Sequence, residues 1–153
     1  MTTRSVTHAT FTLERLYPAP PKRVFAVLTD PKLKPKWFNA PEEWGPDRYE
    51  MDFRVGGRES SVGGPKGGPI HSYEARFYDI VPDERIIYAY DMHLDDMRIS
   101  VSLASMELKP EAGGTRFTLT EDGAYLDGFD NGDERKHGTG ELLDALGRFL
   151  AQS

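Results

Sequence analysis

The sequence predicts an α+β domain in which a curved antiparallel sheet of about six to seven strands wraps around a long C-terminal helix. Two observations predict this class. From His71 onward, apolar and polar residues alternate in segments separated by short turn signals, which is typical of an antiparallel meander. Residues 133–152 instead carry leucines and a phenylalanine at helical spacing. Because one face of the sheet must be covered, we expect this helix to dock across it and to leave an apolar cavity between them.

Composition excludes several classes of protein. The chain has 153 residues, a formal net charge of −6 and no cysteine. A chain of this length folds without a disulfide or a metal. Its length is also typical of one domain, so we expect a single domain over residues 1–153. Without cysteine there are no disulfides, thiolate metal sites or cysteine nucleophiles, which favours a cytoplasmic protein. We expect no signal peptide and no membrane span, because no apolar run approaches about 18 residues.

The acidic balance also argues against nucleic acid as a partner, since affinity for phosphates depends on clustered Lys and Arg. The densest basic run is formed by Lys32, Lys34 and Lys36, which alternate with other residues, one of them a proline. We interpret this run as a solvated face of the protein.

The first part of the chain predicts a strand and two short helices. Residues 8–17 alternate, with Phe11 and Leu13 on one face, and prolines end this strand. Residues 22–28 follow as a short helix with a broad apolar face. Asp30 and the proline after it predict a second helix with Asp30 as its N-cap, and this helix ends near residues 37 and 38.

The middle of the chain predicts one strand and one long loop. Residues 48–54 predict a strand that leads into a glycine pair at 56 and 57. Residues 60–69 are so rich in glycine and proline that we expect no regular structure there. Loops of this kind often act as lids, so we expect this one to lie near the mouth of the cavity.

Further strands and the last helix are predicted for the rest of the chain. The strands span residues 71–81, 85–92, 97–108 and 115–120. The third of them changes phase, and a one-residue bulge near Leu103 restores a single inward face. Gly123, Gly128 and Gly132 then break the chain before the helix. Glycines inside the helix each weaken it by about 1 kcal/mol relative to Ala, so tertiary packing must stabilise it.

Four segments in order resemble one protein family. They are residues 21–37, with Pro-Lys-Arg-Val-Phe, Leu-Thr-Asp-Pro and a final Trp; 51–58, Met-Asp-Phe-Arg-Val-Gly-Gly-Arg; 81–88, Val-Pro-Asp-Glu-Arg-Ile-Ile-Tyr; and 113–120, Gly-Gly-Thr-Arg-Phe-Thr-Leu-Thr. On these segments the chain is similar to the activator of heat-shock protein 90 ATPase homologue-like family, within the START-like helix-grip (SRPBCC) superfamily. The resemblance implies the helix-grip fold, a hydrophobic ligand between sheet and last helix, a link to the stress response and contact with a chaperone.

One position departs from the family pattern. Many members carry Gly-Trp early in the last helix, whereas Gly140 here precedes Glu141. The resemblance therefore implies a cavity that is larger or more polar than in those members.

No motif for metal, cofactor or covalent chemistry is visible. The histidines His8, His71, His93 and His137 lack the spacing of a zinc motif, and we interpret His93 with its nearby aspartates as a solvated turn. There is no Gly-x-Ser-x-Gly segment. The glycine run around Lys66 leads toward a strand instead of a helix N-terminus, which argues against phosphate binding. We predict no cofactor, no metal and no assigned catalytic residue.

Aromatic and thioether side chains give the stronger signal for a site. Each alone fits an ordinary core, but buried tyrosines need hydrogen-bond partners, and several on one face suit a lining that orients a polar group. The predicted cavity lining consists of Trp37, Phe38, Trp44, Phe53, Tyr73, Phe77, Tyr88, Tyr90, Met92, Met106, Phe117, Phe129, His137 and Glu141.

Three functions stay open, of which the sequence favours the first. It is binding of a small hydrophobic or aromatic ligand in the cavity. The second is a cofactor-free cyclase or hydratase acting on an aromatic or polyketide-like substrate, with acid–base groups drawn from His71, Tyr73, Tyr88, Asp91 and His137. The third is a chaperone-interacting module, which requires an exposed apolar patch. A homodimer is also compatible with the sequence.

Overall fold

The helices and strands follow the predicted order. In the computed structural model, which describes residues 4–38, 44 and 48–152, seven antiparallel strands form one sheet in the order β1-β7-β6-β5-β4-β3-β2. The strands are β1 (Val6–Tyr17), β2 (Arg48–Met51), β3 (Arg58–Gly63), β4 (His71–Val81), β5 (Arg85–Leu94), β6 (Met97–Glu111) and β7 (Gly114–Leu126). The helices are α1 (Pro21–Thr29) and α2 (Gly132–Gln152). The predicted α+β class, with a meander from His71 onward (β4 to β7) and a long C-terminal helix, is confirmed, and β2 and β3 extend that meander.

Helix α2 docks on the inward face of the sheet through apolar and polar contacts. Leu143 and Leu146 are buried, and their i, i+3 spacing places them on one helix face. The buried hydroxyl of Tyr17 donates to the carbonyl of Leu143 (2.8 Å), and Arg15 donates to the carboxylate of Asp144 (2.8 Å). These contacts with β1 fix the position of α2 and supply the packing that a helix with internal glycines needs.

Part of the predicted glycine-rich loop is a strand. Residues 60–63 belong to β3, which pairs with β2 on one side and places Gly63 opposite His71 of β4 on the other. The prediction was wrong here because backbone hydrogen bonds to two neighbouring strands outweigh the low strand propensity of glycine and serine. The connection that remains spans residues 64–70.

Other predicted boundaries also move. Strand β7 continues through Gly123, because β1 and β6 pair with it on both sides and the side chain of Tyr125 lies over the glycine, where a Cβ would be 2.6 Å from the hydroxyl. The second predicted helix is only a 3₁₀ turn at Lys34–Lys36. The carboxylate of Asp30 accepts from the backbone N–H of Lys32 (2.8 Å), so it caps a turn instead of an α-helix.

The phase change in β6 lies earlier than predicted. In the register between β5 and β6, the extra residue is Ile99 and not Leu103. After this bulge Ser100 and Ser102 are buried, whereas Val101 and Leu103 are exposed. A prediction from hydrophobicity alone would bury Val101 and Leu103 instead. Ser100 accepts a hydrogen bond from a polar group of α2, as the next subsection describes, whereas the buried hydroxyl of Ser102 has no partner among the described residues.

Candidate functional site

A cavity of about 390 Å³ lies between strands β3 to β5 and the first half of α2. Aromatic rings form one wall of it. The ring of Tyr73 lies 5.5 Å from that of Phe38 and 5.0 Å from that of Tyr90, and the ring of Trp44 lies 4.6 Å from that of His71. These rings are tilted or edge-on to one another, and packed rings of this kind make a rigid, largely apolar surface. The cavity thus suits an apolar or aromatic molecule better than a strongly hydrated one.

One end of the cavity is polar and is organised by Arg135 of α2, which is only 8% exposed. Its Nη1 donates to the hydroxyl of Tyr90 (2.9 Å), and its Nη2 donates to Ser100 (2.8 Å) and to the carboxylate of Asp130 (2.5 Å). The guanidinium also lies 5.6 Å from the ring centre of Tyr90 and 5.4 Å from that of Tyr125. A buried guanidinium is tolerated when it is paired and hydrogen-bonded in this way.

The carboxylate of Glu121 on β7 completes the polar end. The residue is 2% exposed and lines the cavity. Its Oε2 accepts a hydrogen bond from the hydroxyl of Tyr90 (2.8 Å), so Tyr90 connects Glu121 to Arg135. Burial raises the pKa of Glu121, while the hydrogen bond from Tyr90 and the charge of Arg135 oppose that rise. Such a carboxyl group takes up a proton more readily than an exposed one and can donate or accept a hydrogen bond.

A second buried ion pair supports the aromatic wall. The Nζ of Lys34 lies 2.5 Å from the carboxylate of Glu59, which is 1% exposed. The hydroxyls of Tyr49 and Tyr73 also donate to Glu59, and the Lys34 ammonium lies 4.5 Å from the ring centre of Phe38. The interpretation of this lysine as part of a solvated face was wrong, because Glu59 holds it inside. The pair thereby fixes two of the rings that line the cavity.

The structure brings together only part of the predicted lining. The predicted residues that lie at the cavity are Phe38, Trp44, Tyr73, Tyr88, Tyr90 and Met92. Those that pack in or against the hydrophobic core instead are Trp37, Phe53, Phe77, Met106 and Phe117. Their aromatic or thioether character is what an ordinary core also selects, and the indole N–H of Trp37 is satisfied there by the carbonyl of Val27 (3.1 Å).

The remaining predicted residues, Phe129, His137 and Glu141, are exposed. Phe129 lies in the turn between β7 and α2. His137 and Glu141 are four residues apart on the solvent side of α2, where they lie 2.8 Å from each other. Of the proposed acid–base groups, His71, Tyr73 and Tyr88 line the cavity, whereas Asp91 and His137 do not.

Sequence reasoning missed Arg135 and Glu121, and it missed the face of α2 to which Arg135 belongs. Arg135, Gly138, Thr139 and Leu142 share the i, i+3, i+4, i+7 spacing of one helix face, and all four line the cavity. Extending the apolar stripe of α2 backward by two turns finds this face. No comparable signal marks Glu121, because a carboxylate on a strand is most often exposed.

No metal centre is found in the part of the chain that the structure describes. Within it, no three His, Asp or Glu side chains converge to hold an ion. Near His93, the carboxylate of Asp91 accepts from Arg98 (3.0 Å), and that of Asp95 accepts from the backbone of Ile70 (2.9 Å). No helix among the described residues is both long and apolar enough to cross a membrane.

We expect Tyr125→Phe to raise the free energy of unfolding by about 1 kcal/mol. Among the described residues the buried hydroxyl of Tyr125 has no hydrogen-bond partner, so its removal relieves a desolvation cost. The control is Tyr17→Phe, which loses the bond to Leu143 and should lower stability by about 1 kcal/mol. Urea denaturation measures both. Equal losses in the two variants would contradict the prediction.

Comparison with known proteins identifies similar chains. A family model described as activator of Hsp90 ATPase homolog 1-like protein matches residues 18–151. Among solved structures, an uncharacterized protein from Rhizobium leguminosarum is 42% identical, with a TM-score of 0.94 over 99% of this chain and 100% of that one. A protein from Rhizobium loti is 43% identical, with a TM-score of 0.86 over 94% of this chain and 98% of that one.

More distant structures share the fold alone. CalU16 from Micromonospora echinospora is 20% identical, with a TM-score of 0.62 over 98% of this chain and 86% of that one. A comparison with curated proteins finds no significant match. The family match and the two similar solved structures from Rhizobium establish the family and the fold. None of these matches names a ligand.

Proposed function

Because the chain belongs to the family of activator of Hsp90 ATPase homolog 1-like proteins and forms a cavity between its sheet and its last helix, we propose that it binds a small, largely apolar or aromatic molecule there. The observation that carries the proposal is a wall of packed aromatic rings that ends at one buried polar cluster. A lining of this composition removes apolar surface from water and also orients a single polar group of the ligand.

Small residues on α2 keep the cavity open. Thr139 and the exposed Gly138 line it from the helix, and a Cβ added to Gly138, on the open side of the cavity, would meet no atom within 4 Å. Larger side chains at these positions would occupy the space that the proposal assigns to the ligand. Stability and ligand binding therefore make opposite demands on Gly138, because glycine weakens a helix interior by about 1 kcal/mol.

We expect Gly138→Leu to raise the melting temperature of the free protein and to weaken binding of the neutral fluorescent probe N-phenyl-1-naphthylamine at least about tenfold, which corresponds to about 1.4 kcal/mol. The leucine improves helix propensity and fills the cavity. Fluorescence titration measures the Kd, and a thermal melt of the same sample measures stability.

The matched control is Lys136→Leu, which places the same side chain at an exposed position of α2 outside the cavity. It should leave the Kd of the probe unchanged. Equal affinity of the wild type and both variants would place the probe elsewhere and contradict binding in this cavity. Native mass spectrometry of the purified wild type would in addition reveal a molecule retained from the cell.

A second candidate function is acid–base chemistry on the bound molecule. It is favoured by Glu121, whose pKa is raised by burial and whose carboxylate shares a hydrogen bond with Tyr90 inside the cavity. In that case Glu121→Gln would abolish conversion of a ligand recovered from the cell while the ligand still bound. Recovery of an unaltered ligand after prolonged incubation with the wild type would count against catalysis.

A further inference from the structure

We propose that the cavity selects molecules that carry a hydrogen-bond donor, above all a protonated amine, and discriminates against carboxylates, with Glu121 as the recognising group. The inference rests on the proposed function and names the chemical class of the ligand. It follows from the hydrogen bonding of Glu121, from the occupied donors of Arg135 and from the charges around the cavity.

One carboxylate oxygen of Glu121 is available to accept a hydrogen bond from a ligand. Its Oε2 accepts from Tyr90, whereas no described residue donates to Oε1. Only 2% of the surface of Glu121 is exposed, yet the residue borders the cavity. A ligand that fills the cavity displaces water from this oxygen, and an acceptor that is then left without a donor is unfavourable. A donor on the ligand avoids that cost.

Arg135 is poorly placed to bind an anionic ligand. Both of its terminal nitrogens already donate, to Tyr90, Ser100 and Asp130. Nη2 uses both of its N–H groups, so a ligand carboxylate that paired with two neighbouring nitrogens of the guanidinium would have to displace Ser100 or Asp130, whose Oδ2 is 2.5 Å from Nη2. The guanidinium therefore positions Tyr90 and balances charge within the protein, and it offers a ligand single N–H groups but no two-point contact.

The remaining charges around the cavity are negative. Besides Arg135, the charged side chains that line it among the described residues are Glu121, Asp130 and Glu134. An anion in the cavity would face these carboxylates, while a cation would be attracted by them.

The N-terminus of α2 does not reverse this preference. A helix N-terminus attracts anions through its free N–H groups and its dipole. Here the side chain of Asn131 accepts from the backbone N–H of Glu134 (2.9 Å), and the first turn carries Asp133 and Glu134. Asn131 therefore already satisfies one of these N–H groups, and the two carboxylates of the first turn repel an anion that approaches the helix end.

Three probes of nearly equal shape test the proposal: 1-naphthylmethylamine, 1-naphthalenemethanol and 1-naphthoic acid. Their Kd values are measured by displacement of N-phenyl-1-naphthylamine from the wild type at pH 8 and at two salt concentrations. The amine should bind at least about tenfold more tightly than the acid, with the alcohol between them. In Glu121→Gln the advantage of the amine over the alcohol should fall to within about threefold, because the fixed negative charge is gone.

The control is Glu134→Gln, which removes an exposed carboxylate at the rim and should retain most of the preference. An acid that binds the wild type as tightly as the amine overturns the proposal, whether or not Glu121→Gln folds. An undiminished preference in a folded Glu121→Gln variant also overturns it. If none of the three probes displaces the neutral probe, the proposed function itself fails, and that outcome differs from a preference of the wrong sign.

Discussion

Replacing Lys34 by Met is expected to lower the free energy of unfolding by about 3–5 kcal/mol. Lys34 and Glu59 form an ion pair with side chains that are 8% and 1% exposed, 2.5 Å apart. Without the ammonium, the Glu59 carboxylate stays in the interior, where the hydroxyls of Tyr49 and Tyr73 are its remaining side-chain donors in the described part of the chain. An unpaired charge in that position costs far more than a lost surface ion pair. Urea denaturation at neutral pH measures the loss.

Two further variants separate the buried charge from the lost packing. Adding Glu59→Gln to Lys34→Met removes the stranded charge, so the double variant should recover more than half of the stability lost. Lys36→Met changes an exposed lysine of the same turn and should stay within about 0.5 kcal/mol of the wild type. A cost below about 1 kcal/mol for Lys34→Met, or a double variant that is less stable than the single one, would show that the pair does not hold this region.

The fold was predictable because its strands and its last helix carry clear periodicity. The inward residues Phe11 and Leu13 alternate along β1, and Leu143, Leu146 and Leu150 recur on one face of α2. These patterns reflect burial of apolar surface, which the sequence records locally. Where pairing with a neighbouring strand decides instead, as for residues 60–63 in β3, the local pattern fails, because the partner lies elsewhere in the chain.

The site was less predictable because its key groups are charged residues inside the protein. Sequence rules place Lys34, Glu59, Glu121 and Arg135 on the surface, where such residues usually lie. What brings them inside is their pairing across distant segments: Arg135 contacts Tyr90, which is 45 positions away. No local pattern records that distance. The aromatic half of the lining was predictable because aromatic residues are concentrated in the strands and loops that face α2. The same criterion also selects Phe117, which lies in the core.

Replacing Arg135 by Met is expected to destabilise the protein by about 3–5 kcal/mol at pH 8 and by clearly less at pH 5. The guanidinium hydrogen-bonds Tyr90, Ser100 and Asp130, and its charge lowers the pKa of Glu121. Its loss leaves the carboxylates of Glu121 and Asp130 near each other, and no lysine or other arginine lines the cavity in the part of the chain that the structure describes. Urea denaturation of the wild type and the variant across this pH range measures the difference.

The sign of the pH dependence follows from Glu121. Burial holds its pKa in the folded protein above the ordinary value of 4.5, and loss of Arg135 raises it further. A carboxyl group with a raised pKa costs the folded state nothing below its unfolded pKa, and stability falls as the pH rises through the folded pKa, where the buried group must ionise. The variant should therefore lose stability between pH 5 and pH 8 more steeply than the wild type.

Adding Glu121→Gln to Arg135→Met should flatten this extra slope, since the amide does not titrate, and should restore part of the stability at pH 8. A slope that persists in the double variant would assign the titration to Asp130, the other carboxylate that Arg135 pairs with. If Arg135→Met costs the same at pH 5 and pH 8, Glu121 stays ionised in the folded state at both values. The polar end of the cavity would then tolerate a bare carboxylate, and its need for a donor from the ligand would lose its physical basis.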